Sequence, residues 1–165
     1  MNDWETIVEE HARAVLDIAQ RILGSLHDAE DVAQDVFCEA YRRLCTPAVT
    51  DWPGMLRRMA VLRSLDRLRR SRGTVPLDTS IVGSGCDPSQ AMIAQELAER
   101  LRASLARLPK RQAAVFSLAY FEQLSREEIA SSLGISPDAV SAALYKARQK
   151  LACSLTGITQ ETGHD

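Results

Sequence analysis

The chain has 165 residues, a formal net charge of −2, 45% hydrophobic residues and only 5% aromatic residues. This length allows one domain or two very small ones, and the composition is ordinary for a soluble globular protein. The acidic N-terminus has no signal-peptide core, and no apolar run approaches the roughly 18 residues of a membrane helix, so we expect a cytoplasmic protein without membrane insertion.

The charges are unevenly distributed along the chain. Residues 1–45 carry a net charge of −6, residues 46–76 carry +5, residues 77–104 carry −2, residues 105–155 carry +3, and the last ten carry −2. The two basic blocks predict two contacts with nucleic acid, and the acidic first block predicts a different, basic partner.

Helical periodicity dominates the first 70 residues. A first helix is predicted from about residue 3 to residue 23, where Gly24 is a natural stop. A second begins at Asp28 as N-cap and continues to Leu44, with Leu44 on its inner face. Asp51 caps a third helix, which ends near Arg70.

A linker separates these helices from a second helical unit. The stretch GTVPLDTSIVGSGCDPS is rich in turn-forming residues and predicts a flexible interdomain tether. Helix restarts at Asp87-Pro88 and reaches Leu108, and another covers about 110–121. The predicted fold is therefore all-α, with small domains at 1–72 and 88–155, a linker at 73–87 and a disordered tail at 156–165.

The sequence LSREEIASSLGISPDAVSAALYKARQKL predicts a helix-turn-helix. Ser125 and Glu128 form a capping box, Gly134 ends that helix, and Ser136-Pro137 starts the next. The alternative is an ordinary helical hairpin, but these three signals occur together at the spacing of a DNA-binding motif.

Two charged stripes stand out in the N-terminal unit. Acidic residues of the second helix share a face opposite its apolar stripe, a pattern that fits either a solvated surface or a protein interface. On the third helix, Arg63, Arg67 and Arg70 form a basic ridge that suits phosphates and unpaired bases.

These motifs resemble the group 4, extracytoplasmic-function sigma factors of bacterial RNA polymerase. DAEDVAQDVFCEAYRRL is similar to the core-binding segment of that family, and LPKRQAAVFSLAYFEQL followed by the helix-turn-helix is similar to its −35 reading domain. The resemblance covers nearly the whole chain, with the motifs in the family's order.

The resemblance implies three sets of binding residues. The residues expected to bind core polymerase are Asp28, Glu30, Asp31, Gln34, Asp35 and Phe37. The residues expected to bind the −10 element are Trp52, Leu62, Arg63, Asp66, Arg67, Arg69 and Arg70. The residues expected to bind the −35 element are Arg126, Ser136, Ser141, Ala142, Tyr145, Lys146 and Arg148.

Several positions depart from the family pattern. Met55-Leu56 stands where the family usually has tryptophan followed by leucine, Leu62 replaces a usual asparagine, and Ser141 and Ala143 occupy recognition-helix positions that are often basic. We therefore expect altered promoter readout and a weaker −35 contact that depends on DNA shape, Lys146 and Arg148.

Promoter DNA, core polymerase and a cognate anti-sigma factor are the implied partners, and no cofactor or metal is expected. Two other readings stay open: a stand-alone helix-turn-helix regulator, and a sigma-like adaptor without initiation activity. An enzyme is disfavoured, because the histidines are scattered and the chain has no phosphate-binding glycine loop. The four cysteines, Cys38, Cys45, Cys86 and Cys153, lack metal-ligand spacing and are expected to be reduced.

Overall fold

A computed structural model describes residues 3–44, 49–72 and 87–156. Within these ranges the chain forms seven helices and no strand: α1 Trp4–Leu23, α2 Leu26–Arg43, α3 Trp52–Ser71, α4 Pro88–Arg107, α5 Lys110–Tyr120, α6 Arg126–Leu133 and α7 Pro137–Thr156. The all-α prediction is confirmed. The predicted linker apart from Asp87, and the predicted tail apart from Thr156, lie outside the described residues.

The start of α2 differs from the sequence prediction. Ser25 is the N-cap, and its hydroxyl accepts a hydrogen bond from the backbone N–H of Asp28 at 3.3 Å. Asp28 lies in the first turn, where its charge favours the helix dipole. Leu44, predicted to face inward, is 39% exposed at the C-cap. Both Ser25 and Asp28 are good cap residues, and the serine comes first in the chain.

Helix α3 lies at the centre of the N-terminal unit, α1–α3. Seven of its residues are buried, including Leu56, Val61 and Leu65, and it packs against both α1 and α2. The buried stripes of the other two helices, such as Val15 and Val36, complete an aliphatic core. This arrangement fixes α2 and α3 side by side, with their charged faces adjacent.

The C-terminal unit, α4–α7, contains the predicted helix-turn-helix. Ser125 and Glu128 form both hydrogen bonds of a capping box, and Gly134 has φ +66°, the left-handed conformation that glycine adopts at little cost. The hydroxyl of Ser136 then accepts from the backbone N–H of Ala139 at 3.1 Å at the start of α7. The helix-turn-helix prediction is confirmed.

The two units pack on one another. Helix α3 contacts α4, α5 and α6, and buried residues of both units belong to one continuous apolar cluster. Leu105 and Leu108 of the C-terminal unit are among its members, as are Leu65 and Leu68 of α3. The described helices therefore form a closed arrangement with a polar and apolar junction.

Candidate protein and nucleic-acid interfaces

An apolar groove runs between α1 and α2 on the outer face of the N-terminal unit. It has a volume of about 1080 Å³ and is lined by Trp4, Leu16, Phe37 and Tyr41 among others. The Trp4 ring packs edge-on against Phe37 and Tyr41, with centroids 6.1 and 5.2 Å apart. Tyr41 is nevertheless 55% exposed. Such an exposed aromatic surface is typical of a protein-binding site.

The residues predicted to bind polymerase divide between two edges of α2. Glu30, Gln34 and Phe37 line the groove, and the first two are exposed. Asp28 and Asp31 are half-buried on the side of α2 that faces α3, and Asp35 is exposed. The groove edge of α2 therefore presents exposed polar groups beside an aromatic ring, whereas the α3 edge presents half-buried carboxylates.

Ion pairs connect the α3 edge of α2 to the basic ridge of α3. Arg67 lies 2.7 Å from Asp28 and 3.3 Å from Asp31, and Arg63 pairs with Glu39. A hydrogen bond from Arg63 lowers the pKa of Glu39, and a hydrogen bond to Asp28 raises the pKa of Arg67. Arg67, which is predicted to bind DNA, thus neutralises two acids of the predicted polymerase surface, while Arg63 neutralises a further acid of α2.

Sequence reasoning missed Glu39, Arg57 and Arg58. Glu39 falls one turn beyond Asp35 on the same stripe of α2, so helical spacing alone could have found it. Arg57 and Arg58 precede the predicted ridge, and only their contacts with the C-terminal unit reveal them.

The residues predicted to bind the −10 element do not form one surface. Arg70 is exposed, whereas Arg63 and Arg67 turn toward α2. Asp66 lies 3.4 Å from Lys110, and Arg69 donates to the carbonyl of Leu108 at 2.6 Å, so both contact the C-terminal unit.

The two apolar members of that set pack inward. Trp52 is half-buried and lies edge-on to Trp4, with centroids 6.3 Å apart, and Leu62 is half-buried against the core. Leu62 therefore has a packing role that an asparagine could not fill.

The outer face of α7 carries the residues predicted to read the −35 element. Ser141, Ala142, Tyr145, Lys146 and Arg148 are all exposed, as is the N-cap Ser136. Arg126 at the start of α6 reaches the hydroxyl of Ser141 at 3.4 Å. Ala143, by contrast, is only 6% exposed and faces the core, so it is not part of the exposed face of α7.

One arginine of α7 is held by an aromatic residue. The Nε of Arg148 donates to the hydroxyl of Tyr120, and the guanidinium carbon lies 5.3 Å from the centre of that ring. Phe116 stacks on Tyr120 with a centroid distance of 4.5 Å and supports it from within α5.

The described ranges contain no cluster of three or more His, Cys, Asp or Glu side chains that could hold a metal ion. Cys38 and Cys153 are free and exposed, and the other two cysteines lie outside those ranges. None of the described helices is long and apolar enough to cross a membrane.

Comparison with known families accounts for both units. The Sigma-70 region 2 model matches residues 7–74, and the Sigma-70, region 4 model matches residues 98–151. The chain belongs to the sigma-70 family. Its region 2 thus coincides with the groove and the basic ridge, and its region 4 with the helix-turn-helix.

Relatives within the family are extracytoplasmic-function (ECF) sigma factors. The chain is 30% identical to ECF RNA polymerase sigma factor SigE of Mycolicibacterium smegmatis over 98% of its own length and 65% of that protein. It is 27% identical to ECF RNA polymerase sigma factor SigW of Bacillus subtilis over 88% of its length and 84% of that protein. The chain thus spans just under two thirds of SigE and most of SigW.

Solved structures show the same fold. CnrH, in complex with the cytosolic domain of CnrY, superposes with a TM-score of 0.63 at 22% identity, covering 93% of this chain and 88% of that one. The sigma factor RpoE from Bartonella quintana, in complex with the anti-sigma factor NepR, gives 0.58 at 16% identity, covering 94% and 98%.

Proposed function

We propose that this sigma factor directs promoter-specific transcription initiation by binding core RNA polymerase and promoter DNA through separate surfaces. The observation that carries the proposal is the ordered match of both sigma-70 regions to two chemically distinct surfaces, an aromatic groove and a helix-turn-helix. The domain assignments at 1–72 and 88–155, joined by a linker at 73–87, belong to the same proposal.

The polymerase contact is assigned to the groove edge of α2. Glu30 and Gln34 are exposed beside the aromatic floor, and Asp35 is exposed close by. The groove itself is lined by one acid, Glu30, and one base, Arg42, so its aromatic floor suits apolar side chains of a helical partner, and exposed Asp35 beside it suits a basic one. Asp28 and Asp31 face α3 and pair with Arg67, so they are less available to the polymerase than Glu30 and Asp35.

The DNA contacts are assigned to α3 and α7. The exposed guanidinium of Arg70 and the partly exposed ones of Arg63 and Arg67 can reach phosphates of a separated strand. On α7, Tyr145 and Lys146 present apolar and charged groups to the major groove, with Arg126 and Arg148 on the flank.

An anti-sigma factor is the proposed regulatory partner, supported by the complex of RpoE with NepR. A role in binding rather than catalysis, and a location in the cytoplasm with the polymerase, complete the proposal. The match of the Sigma-70 region 2 model to residues 7–74, in addition to the helix-turn-helix, favours this function over a stand-alone regulator.

The decisive experiment measures binding of the full-length protein to bacterial core RNA polymerase. Glu30→Lys/Asp35→Lys should reduce the affinity for the polymerase at least about tenfold, because the two introduced lysines repel a basic partner. The variant leaves the Arg67 ion pairs intact. Glu10→Lys/Glu96→Lys is the matched control, since it makes the same charge change at exposed positions outside the groove.

Other outcomes would choose among the alternatives. If the wild-type protein does not bind the polymerase but binds duplex DNA specifically, it is a stand-alone regulator. Wild type that binds the polymerase yet supports no run-off transcription from any fragment of a genomic library would be an adaptor.

A further inference from the structure

Arginines of the N-terminal unit bind the C-terminal ends of three helices in the other unit. Each donates a hydrogen bond to a backbone carbonyl in the last turn or at the C-cap: Arg69 to Leu108 at 2.6 Å (α4), Arg21 to Phe121 at 2.8 Å (α5), and Arg58 to Ser132 at 3.4 Å (α6). In the opposite direction, Arg102 of α4 reaches the carbonyl of Arg21 near the end of α1 at 3.4 Å.

The pattern has a physical cause. The last carbonyls of a helix lack intrahelical partners and carry the negative end of the helix dipole, so a guanidinium is a favourable partner for them. DNA phosphates offer the same guanidinium groups a stronger, fully charged acceptor. Arg58 and Arg69 lie on α3, the helix assigned to the −10 element, and Arg69 belongs to that predicted set.

In the closed arrangement the two assigned DNA-binding helices, α3 and α7, lie too close together to contact both promoter elements at once. The −35 and −10 elements are about 25 base pairs apart by their names, or roughly 85 Å at 3.4 Å per base pair. Helix α6 contacts both α3 and α7, so the two assigned DNA-binding helices are separated by one helix, or roughly 20 Å at the usual interaxial distance. The extended chain between Arg72 and Asp87 can reach roughly 50 Å. The flanking helices α3 and α4 are each roughly 30 Å long, so the segment and the two helices together can span that separation.

We infer that promoter DNA and the C-terminal unit compete for the guanidinium groups of Arg58 and Arg69, so that binding of the −10 strand opens the closed protein. This inference rests on the proposed function for its biological meaning. The competition itself can be measured with the free protein and any single-stranded DNA.

Glu122 lies at the junction between the two units. Its carboxylate lies 3.3 Å from Arg21 and 3.7 Å from Arg57, and only 11% of its side chain is exposed. Burial raises the pKa of Glu122, and this effect exceeds the opposing influence of the two arginines. The closed state therefore prefers a neutral side chain here, and ionised Glu122 weakens closure.

The test alters the C-terminal side of the junction and leaves every arginine of α3 unchanged. Glu122→Arg places a third cation beside Arg21 and Arg57, and Lys110→Glu places an acid beside Asp66. Glu96→Arg is the control for Glu122→Arg, because it makes the same charge change on the exposed part of α4, where Glu96 pairs only with Arg100 of its own helix. Glu122→Gln should stay closed.

Two quantities are measured on the full chain, with circular dichroism to verify folding. Small-angle X-ray scattering gives the radius of gyration, which is about 15 Å for a compact chain of this length. Fluorescence anisotropy gives the affinity for a labelled oligo-dT single strand. Glu122→Arg and Lys110→Glu should both expand the protein and bind oligo-dT at least about threefold more tightly than wild type, since they release phosphate ligands.

The two variants change the net charge in opposite directions, so a shared gain in affinity cannot come from bulk electrostatics. Added oligo-dT should also expand the wild type. Expansion without tighter binding, a wild type already as extended as the variants, or oligo-dT binding without expansion would each overturn the inference. If Glu122→Arg fails to fold, Lys110→Glu carries the test. Failure to bind core polymerase would defeat the proposed function alone, because these readouts contain no polymerase.

Discussion

Arg67 on α3 donates a hydrogen bond to Asp28 on α2 at 2.7 Å, so a residue of the predicted DNA surface is bound to a residue of the predicted polymerase surface. The pair is partly exposed, and exposed ion pairs contribute little stability. In a double-mutant cycle of Arg67→Gln and Asp28→Asn, we expect a coupling of at most about 1 kcal/mol in the free energy of unfolding, measured by urea titration. A coupling several times larger would show that this ion pair makes a substantial contribution to the stability of the fold.

Glu122 should make the protein less stable as the pH rises. Its folded-state pKa lies above the ordinary value of 4.5, so its contribution is fully present below 4.5 and is lost as the pH rises through the raised folded value. Urea unfolding between about pH 4 and pH 7 should show wild type losing stability relative to Glu122→Gln, which cannot titrate. Parallel pH profiles for the two proteins would contradict the expectation. For Glu39 the expected trend is the reverse: because the pKa of Glu39 is lowered, wild type should gain stability relative to Glu39→Gln as the pH rises through that range.

Lys146 should supply charge to the −35 contact. It is exposed on the outer face of α7, whereas Ala143 and Ala147 are buried. Lys146→Ala should weaken binding of the polymerase holoenzyme to promoter DNA and lower the slope of log affinity against log salt by about one. Unchanged affinity would refute a role for this lysine, and Lys150→Ala gives the comparison for a lysine on the same helix.

Tyr120 should act through Arg148. Its hydroxyl accepts a hydrogen bond from the Nε of Arg148, which orients the guanidinium group. Tyr120→Phe keeps the ring stacked on Phe116 but removes the acceptor, so it should reduce promoter affinity severalfold, about 1 kcal/mol for one hydrogen bond. The same change in an Arg148→Ala background should have no effect. An equal loss in both backgrounds would mean that Tyr120 acts independently of the arginine.

Much of this protein is determined locally by its sequence. The capping box at Ser125 and Glu128, the left-handed glycine at 134 and the Ser-Pro restart each involve residues within a turn of one another, so the helix-turn-helix could be predicted without tertiary information. The error at Asp28 also has a local cause, because Ser25 competes for the same capping role.

Only the tertiary structure decided how the charged residues are used. Arg63, Arg67 and Arg69 look alike in the sequence, yet the first two turn to acids of α2 and the third caps α4. Ala143 likewise proved to be a core residue rather than part of the reading face. A side chain's partner depends on which helix packs beside it, and that choice is made by apolar burial over residues far apart in the chain rather than by the charge itself.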